Sequence, residues 1–251
     1  RYLLLAGMSG TASEVATELG VVYGLPIVKI PTNRPSRRVT LPARVLATEH
    51  DKWQRVAERV RDLNRTGRPV LLGTRSVAAS EQASEVLAGA GLSHRLLNAK
   101  QDGDEAEVVA QAGARGRITI ATNMAGRGTD IQLAPDVAAL GGLHVILTER
   151  HDSKRIDRQL AGRCARQGDP GFVEAILSME DSLMVAAPAR LRAFITRVMR
   201  MLGPVWGSRF GAWCMRLAQR QCEAEHSRIR RELLKIDRQV GKTLAFSGTN
   251  E

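Results

Sequence analysis

Residues 118–131 read Ile-Thr-Ile-Ala-Thr-Asn-Met-Ala-Gly-Arg-Gly-Thr-Asp-Ile, five strand-favouring residues followed at once by a turn carrying two glycines. A short run of this kind bounded by turn residues reads as a buried strand, and loops at the carboxyl ends of parallel strands are where α/β proteins hold ligands. Within the turn, Gly126 and Gly128 let the backbone approach a ligand, Arg127 can pair with a phosphate, and Asp130 can accept hydrogen bonds from a ribose hydroxyl. Taken alone, the turn fits an ordinary strand-to-helix connection equally well.

Working outward, further strand-like runs fall at residues 3–7, 27–30, 70–74, 95–97, 143–148 and 172–177, separated by helical stretches. That alternation predicts a parallel sheet with crossover helices, the α/β class. Residues 49–64 give the clearest helix: Trp53, Val56, Ala57, Val60 and Leu63 recur at helical spacing, and Gly67 and Pro69 stop it. Residues 31–42, with three prolines and three arginines, read as a linker between two sheets, which sets a boundary near Pro42. After Met184 strand patterning ends, and the rest reads as helices interrupted at residues 202–204 and at Gly211. The last helix, residues 213–240, carries Leu217, Cys222, Ile229, Leu233 and Ile236 along one side, a stripe that needs another surface. Residues 246–251 are expected to lack structure.

Composition narrows the class. Hydrophobic residues at 43% and charged residues at 25% suit a soluble globular chain, while 4% aromatic leaves few rings for stacking on bases. No apolar run approaches the roughly 20 residues that span a bilayer. Arg1 in place of Met, and an opening strand without a basic leader, read as the interior of a longer protein. Cys164, Cys214 and Cys222 include no C-x-x-C pair, which suggests neither a disulfide framework nor a zinc site and fits a reducing cytoplasm. Of the net charge of +11, much lies beyond Met184, where thirteen Arg and Lys face five Asp and Glu. Such a basic helical tail suits nucleic acid, acidic lipid or an acidic protein surface, or is simply a solvated face.

Two other segments carry chemistry. In residues 159–171, Gln-Leu-Ala-Gly-Arg-Cys-Ala-Arg-Gln-Gly-Asp-Pro-Gly, a helix starting near Asp152 ends, and Arg163 and Arg166 project from one face. Two guanidinium groups so presented can stabilise charge on a transferring phosphoryl group, or form a solvated basic face before a Gly/Pro stop. Residues 7–12, Gly-Met-Ser-Gly-Thr-Ala, can relay nucleotide state between lobes or simply cap a helix through Ser9 or Thr11. Gly241-Lys242-Thr243 imitates the end of a phosphate loop, but Ile236 stands where its first glycine belongs and no strand precedes it. The catalytic half of an ATPase, a phosphate loop and paired carboxylates, is therefore not found in this sequence.

Together the strings GMSGTA, IPTNRPSRR, LLGTRSVAASE, LLNAK, TIATNMAGRGTDI, GGLHVILTERHDSKRIDRQLAGRCARQGDPG and LSMEDSLM resemble SecA, the motor of bacterial protein secretion, in order and spacing across most of residues 1–184. The resemblance implies a RecA-like fold: residues 1–41 as the end of a first motor lobe and its linker, 42–184 as a second motor lobe, and 185–251 as a basic, scaffold-like helical extension. It implies a protein-translocating ATPase whose ATP and Mg²⁺ are held mainly by a first lobe. In that family's pattern Asp130, Arg127 and Gly126 match the nucleotide-binding loop, Arg163 and Arg166 the arginines facing the phosphates, with Gln167 beside them, and Arg155 an arginine assigned to lobe coupling. The implied partners are preprotein and a membrane channel at the inner face of the plasma membrane, with acidic lipid a candidate for the tail and nucleic acid less favoured. A SecA paralogue or helicase relative acting on nucleic acid is the alternative. Ala165 departs from the family pattern, which has glycine between the two arginines.

Overall fold

A computed structural model describes residues 4–97, 105–122 and 129–247. Seven strands, all paired in parallel, form the sheet: β1 (Arg37–Thr40), β2 (Arg44–Leu46), β3 (Val70–Thr74), β4 (Arg95–Leu97), β5 (Ile118–Thr122), β6 (Leu143–Leu147) and β7 (Pro170–Ser178). Their order is β1-β7-β6-β3-β5-β4, with β2 continuing alongside β7. Every residue of β3, β5 and β6 is buried, because both faces are covered. On one face Val70, Leu72, Ile118, Ile120 and Ile146 meet Trp53, Val56, Val60 and Leu63 of α2 (Glu49–Arg65) and Ala83 and Leu87 of α3 (Val77–Gly89). On the other, Leu71, Ala121, Val145 and Val173 form a core with Leu160 of α5 (Lys154–Ala161), Met199 of α7 (Ala189–Met201) and Met215 of α8 (Gly203–Ser247). This is the α/β class expected, followed by the expected helical extension.

The helix at residues 49–64 forms as read, with Thr48 accepting from the Asp51 amide at its start. Elsewhere the chain departs from its sequence pattern. Residues 27–30 and the described part of 3–7 are not strands, and Leu4 and Ile30 stay exposed; no sheet edge reaches them among the described residues. Within the expected linker, residues 37–40 instead form β1, an edge strand whose side chains are all exposed and which therefore lacks an alternating signature. Beyond it, the β2 amide of Val45 donates to Ser208 Oγ of α8, 2.8 Å away, so the extension closes that edge.

The break at residues 202–204 is real, but α8 runs unbroken through Gly211 and includes residues 246–247. Close packing explains why glycine sits there. A Cβ on Gly207 would fall 2.1 Å from the Met199 carbonyl oxygen, and one on Gly211 would fall 2.8 Å from Met199 Sδ. The two glycines are interface residues one turn apart, not helix stops.

Where α2, β7 and α6 (Ser182–Val185) meet, Lys52 is 1% exposed and donates to Asp181 Oδ1 at 2.7 Å, while Asp181 Oδ2 accepts the Ser178 amide at 2.9 Å. Burial pushes the Asp181 carboxyl up to about 6, although Lys52 opposes the rise. Between α5 and β7, Ala165 and Gln167 both occupy the left-handed region, at φ of 54° and 55°.

Two outcomes follow for stability. Lys52→Met leaves a buried carboxylate without its cation and should cost about 3–5 kcal/mol in urea unfolding at neutral pH. Because Lys52 opposes the rise, the carboxyl titrates higher still without it and protonates in the variant before it does in wild type, so the deficit should shrink as pH falls towards 6 and level off below. Ala165→Gly relieves a left-handed non-glycine residue and should raise stability by up to about 1 kcal/mol, read as a higher Tm.

Candidate functional site

A cleft of about 450 Å³ is lined by Ser9, Thr11, Arg38, Thr129, Arg158, Arg163 and Arg166 among others. Strand order brings its walls together: β5 lies directly beside β3, so the residues from Thr129 onward, which follow β5, and the helix packed over β3 come from neighbouring positions in the sheet. Ile131 is buried in the core and anchors the far side of that loop next to Asp130.

Helix α5 carries the arginine segment. It starts at Ser153, whose hydroxyl accepts from the Arg155 amide, and ends at Gly162. A Cβ on Gly73 of β3 would fall 2.1 Å from Leu160 Cδ2, so α5 lies close on the strand because residue 73 has no side chain. The chain then turns through Ala165 and Gln167 into β7, and this turn aims Arg166 back over the helix end. Arg166 Nε donates to the Gly162 carbonyl at 2.9 Å, and its Nη1 donates to Asp130 Oδ1 at 2.6 Å. Two segments 36 residues apart thus meet in one ion pair. Both partners are more than a third exposed, so the pair is worth less than about 1 kcal/mol and is exchangeable.

The sequence-derived residues fare differently. Asp130, Arg163 and Arg166 come together, and so does the 7–12 turn, with Ser9 Oγ 3.3 Å from Thr11 Oγ1 and both residues lining the cleft. That turn is not the helix cap expected: Thr11 makes no side-chain cap bond, and a short 3-10 turn (Ala12–Val15) precedes α1 (Ala16–Tyr23). Gln167 lies beside the cleft, exposed, with its carbonyl accepting from Arg34 at 3.1 Å. Arg155 is exposed on α5 and does not line the cleft. Gly126 and Arg127 lie outside the described residues.

Arg38 and Arg158 were not singled out in the sequence. Arg38 was hidden in the apparent linker; in the folded chain it donates to the Ala161 carbonyl at 3.3 Å. Arg158 precedes Gly162 by one helical turn, a spacing that could have shown it, and pairs with Glu14 at 2.7 Å.

Burial holds the groups beneath the cleft in fixed states. The Cys164 thiol donates to the Ala161 and Phe172 carbonyls, and burial pushes it up to about 11 against the nearby Arg38 and Arg166 charges, so it is not a nucleophile. Asp157, in the first turn of α5, would be raised by burial. Hydrogen bonds from His151 and Gln219 and the charge of Arg150 hold it below the usual carboxylate range instead. Among the described residues, no group of three or more His, Cys, Asp or Glu side chains is placed to hold a metal ion, and no helix is long and apolar enough to cross a membrane. All three cysteines are free thiols.

Four guanidinium groups and three hydroxyls line one cleft, beside two carboxylates, Asp130 and Glu14, that are paired to arginines, a set chemically able to receive a polyanion.

A family model described as the SecA P-loop domain matches residues 35–139 and 134–203. Protein translocase subunit SecA 2 of Bordetella avium (strain 197N) is 53% identical over 251 residues, covering 100% of this chain and 38% of that protein. Protein translocase subunit SecA 3 of Magnetococcus marinus is 50% identical over 255 residues, with the same two coverages. Protein translocase subunit SecA of Solidesulfovibrio magneticus is 45% identical over 237 residues, covering 94% of this chain and 28% of that protein. Among solved structures, the E. coli DEAD-box protein SrmB is similar at a TM-score of 0.45 and 21% identity, over 60% of this chain and 86% of that one. The chain spans 38% of the length of the first of these relatives. With the family model matching from residue 35 to residue 203, the chain belongs to the SecA P-loop domain family.

Proposed function

We propose that this chain is the second, RecA-like motor lobe of a SecA-type ATPase, closing over ATP and Mg²⁺ held mainly by a first lobe and coupling their turnover to preprotein movement through a membrane channel. In this reading the residues before β1 complete the first lobe and lead into the sheet, β1 through residue 184 form the second lobe, and residues 185–251 begin the scaffold. The parent works on the cytoplasmic face of the plasma membrane.

The observation that carries the reading is the Arg166–Asp130 pair at the cleft that also gathers Arg163. A triphosphate competing for Arg166 needs to replace only a weak, exposed ion pair. Released, Asp130 can accept from a sugar hydroxyl, while Arg163 and Arg166 face the phosphates. Their charge is worth most where it develops on the γ-phosphoryl group in the transition state, which is the logic of arginine fingers. Arg127 and Gly126, in the same loop as Asp130, complete the nucleotide contact, with Gln167 beside the arginines. Bound Mg²⁺ would neutralise phosphate charge, and its ligands belong to the first lobe.

Only one wall of the nucleotide cleft belongs to this chain, so the purified 251-residue chain should show no ATP hydrolysis above background in a phosphate-release assay. Robust turnover would refute the half-site reading. In the full-length protein, Arg163→Ala and Arg166→Ala should each lower kcat for ATP by roughly 10³-fold while the far-UV spectrum and Tm stay near wild type. Near-normal turnover would leave the two arginines a structural role. Strong RNA binding with a steep salt dependence in a filter assay would favour a nucleic-acid-handling relative instead.

A further inference from the structure

Helix α8 does more than cover the sheet: it holds the helix that presents the arginines. Gln219, 5% exposed, sits in the buried half of α8 and donates from Nε2 to two acceptors, the His151 carbonyl at 2.8 Å and Asp157 Oδ2 at 2.9 Å. One turn later, Glu223 accepts the amide of Lys154, the first residue of α5. Asp157 is itself saturated from the lobe. Its Oδ1 accepts the His151 amide at 3.1 Å and His151 Nδ1 at 2.8 Å, and its Oδ2 accepts Arg150 Nη1 at 3.0 Å. His151 and Asp157 are as buried as Gln219, so solvent does not weaken these bonds.

From this clasp a continuous set of contacts leads to the cleft. Asp157 is in the first turn of α5, an eight-residue helix about 12 Å long, too short to bend. Leu160 wedges against Gly73, and the carbonyl of Gly162 at the helix end receives Arg166 Nε. A shift of α8 at residues 219–223 therefore tilts α5 about the Leu160 contact and moves the guanidinium groups of Arg163 and Arg166.

We infer that Gln219, supported by Glu223, is a positioning residue for the arginine pair, so that α8 sets whether the arginines reach the phosphates. This rests on the arginine reading above and adds to it the element that controls the arginines. Gln219 touches no nucleotide. Its effect falls on a step that depends on accurate placement, and a displacement of an ångström there costs much in rate and little in ground-state binding.

The test is a mutant cycle in the full-length protein. Gln219→Met keeps the volume and removes the donor, and Glu223→Ala is a more exposed second probe that carries less folding risk. The expected result is a roughly tenfold fall in kcat for ATP in each, with KM for ATP changed by less than about twofold. Arg166→Ala should be no slower when Gln219→Met is added, because residues acting in series are non-additive. Amide exchange across residues 154–161 should quicken in both single variants while the sheet stays protected. If Gln219→Met and Glu223→Ala leave kcat unchanged, or if Gln219→Met slows Arg166→Ala by the full tenfold, the positioning role is overturned. If Arg166→Ala alone turns over normally, the arginine reading itself has failed, a result read without any α8 variant.

Discussion

The packing of Leu160 on the bare backbone of Gly73 is the contact from which the candidate site follows. Gly73 lies in the central strand β3, and Leu160 in the last turn of α5. With no side chain between them, α5 sits close against the sheet, and its exit turn passes Ala165 over Gly171 at the start of β7. Because β5 is hydrogen-bonded to β3 in register from Val70–Ile118 to Thr74–Thr122, the chain that follows β5 runs next to the strand on which α5 rests. The Arg166–Asp130 ion pair is a consequence of these two placements and is too exposed to be their cause.

Crowding guanidinium groups is unfavourable unless each has a local counterweight. Arg166 has Asp130, Arg158 has Glu14, and Arg38 has the carbonyl of Ala161. These compensations are weak single bonds at the surface, in contrast with the buried groups behind the cleft, where Asp157 and Asp181 each take several strong bonds. The division has a functional logic. On the proposed reading, partners at the surface can be exchanged for phosphate oxygens, while the buried set around Asp157 keeps α5 in place.

The central strands and α2 were legible because burial on two faces or on one stripe writes a pattern into the residues. β1 was not: an exposed edge strand rich in arginine and flanked by proline has no apolar rhythm, and only its partner β7 makes it a strand. Missing it also concealed Arg38. Gly211 misled for a related reason, since a glycine required by close-packed neighbours looks, in one dimension, like a glycine that ends a helix. The meeting of Asp130 with Arg166 was legible only through the order of the family-like strings, because residues 159–171 end a helix and enter β7 and so carry no strand-end signal of their own. Gln219 was not: its hydrogen bonds to Asp157 and the His151 carbonyl span more than 60 residues and leave no local trace.

A helix of 45 residues is about 67 Å long, and α8 is divided along that length. Its first half buries Ala212, Cys214, Met215 and Gln219, whereas Ile229, Leu233, Ile236 and Val240 in the second half are exposed. A long helix transmits displacement only if its fixed end cannot roll. Here rolling is blocked by the close approach of Gly207 and Gly211 to α7, the Ser208 bond to Val45, and the Gln219 and Glu223 bonds to α5, holds spread over more than four turns. Force applied to the outer half, including through the bidentate Arg230–Glu18 pair with α1, is therefore delivered to the first and last residues of that grip. The last of them hold α5. The same helix that completes this core thus also holds the helix that precedes the arginines.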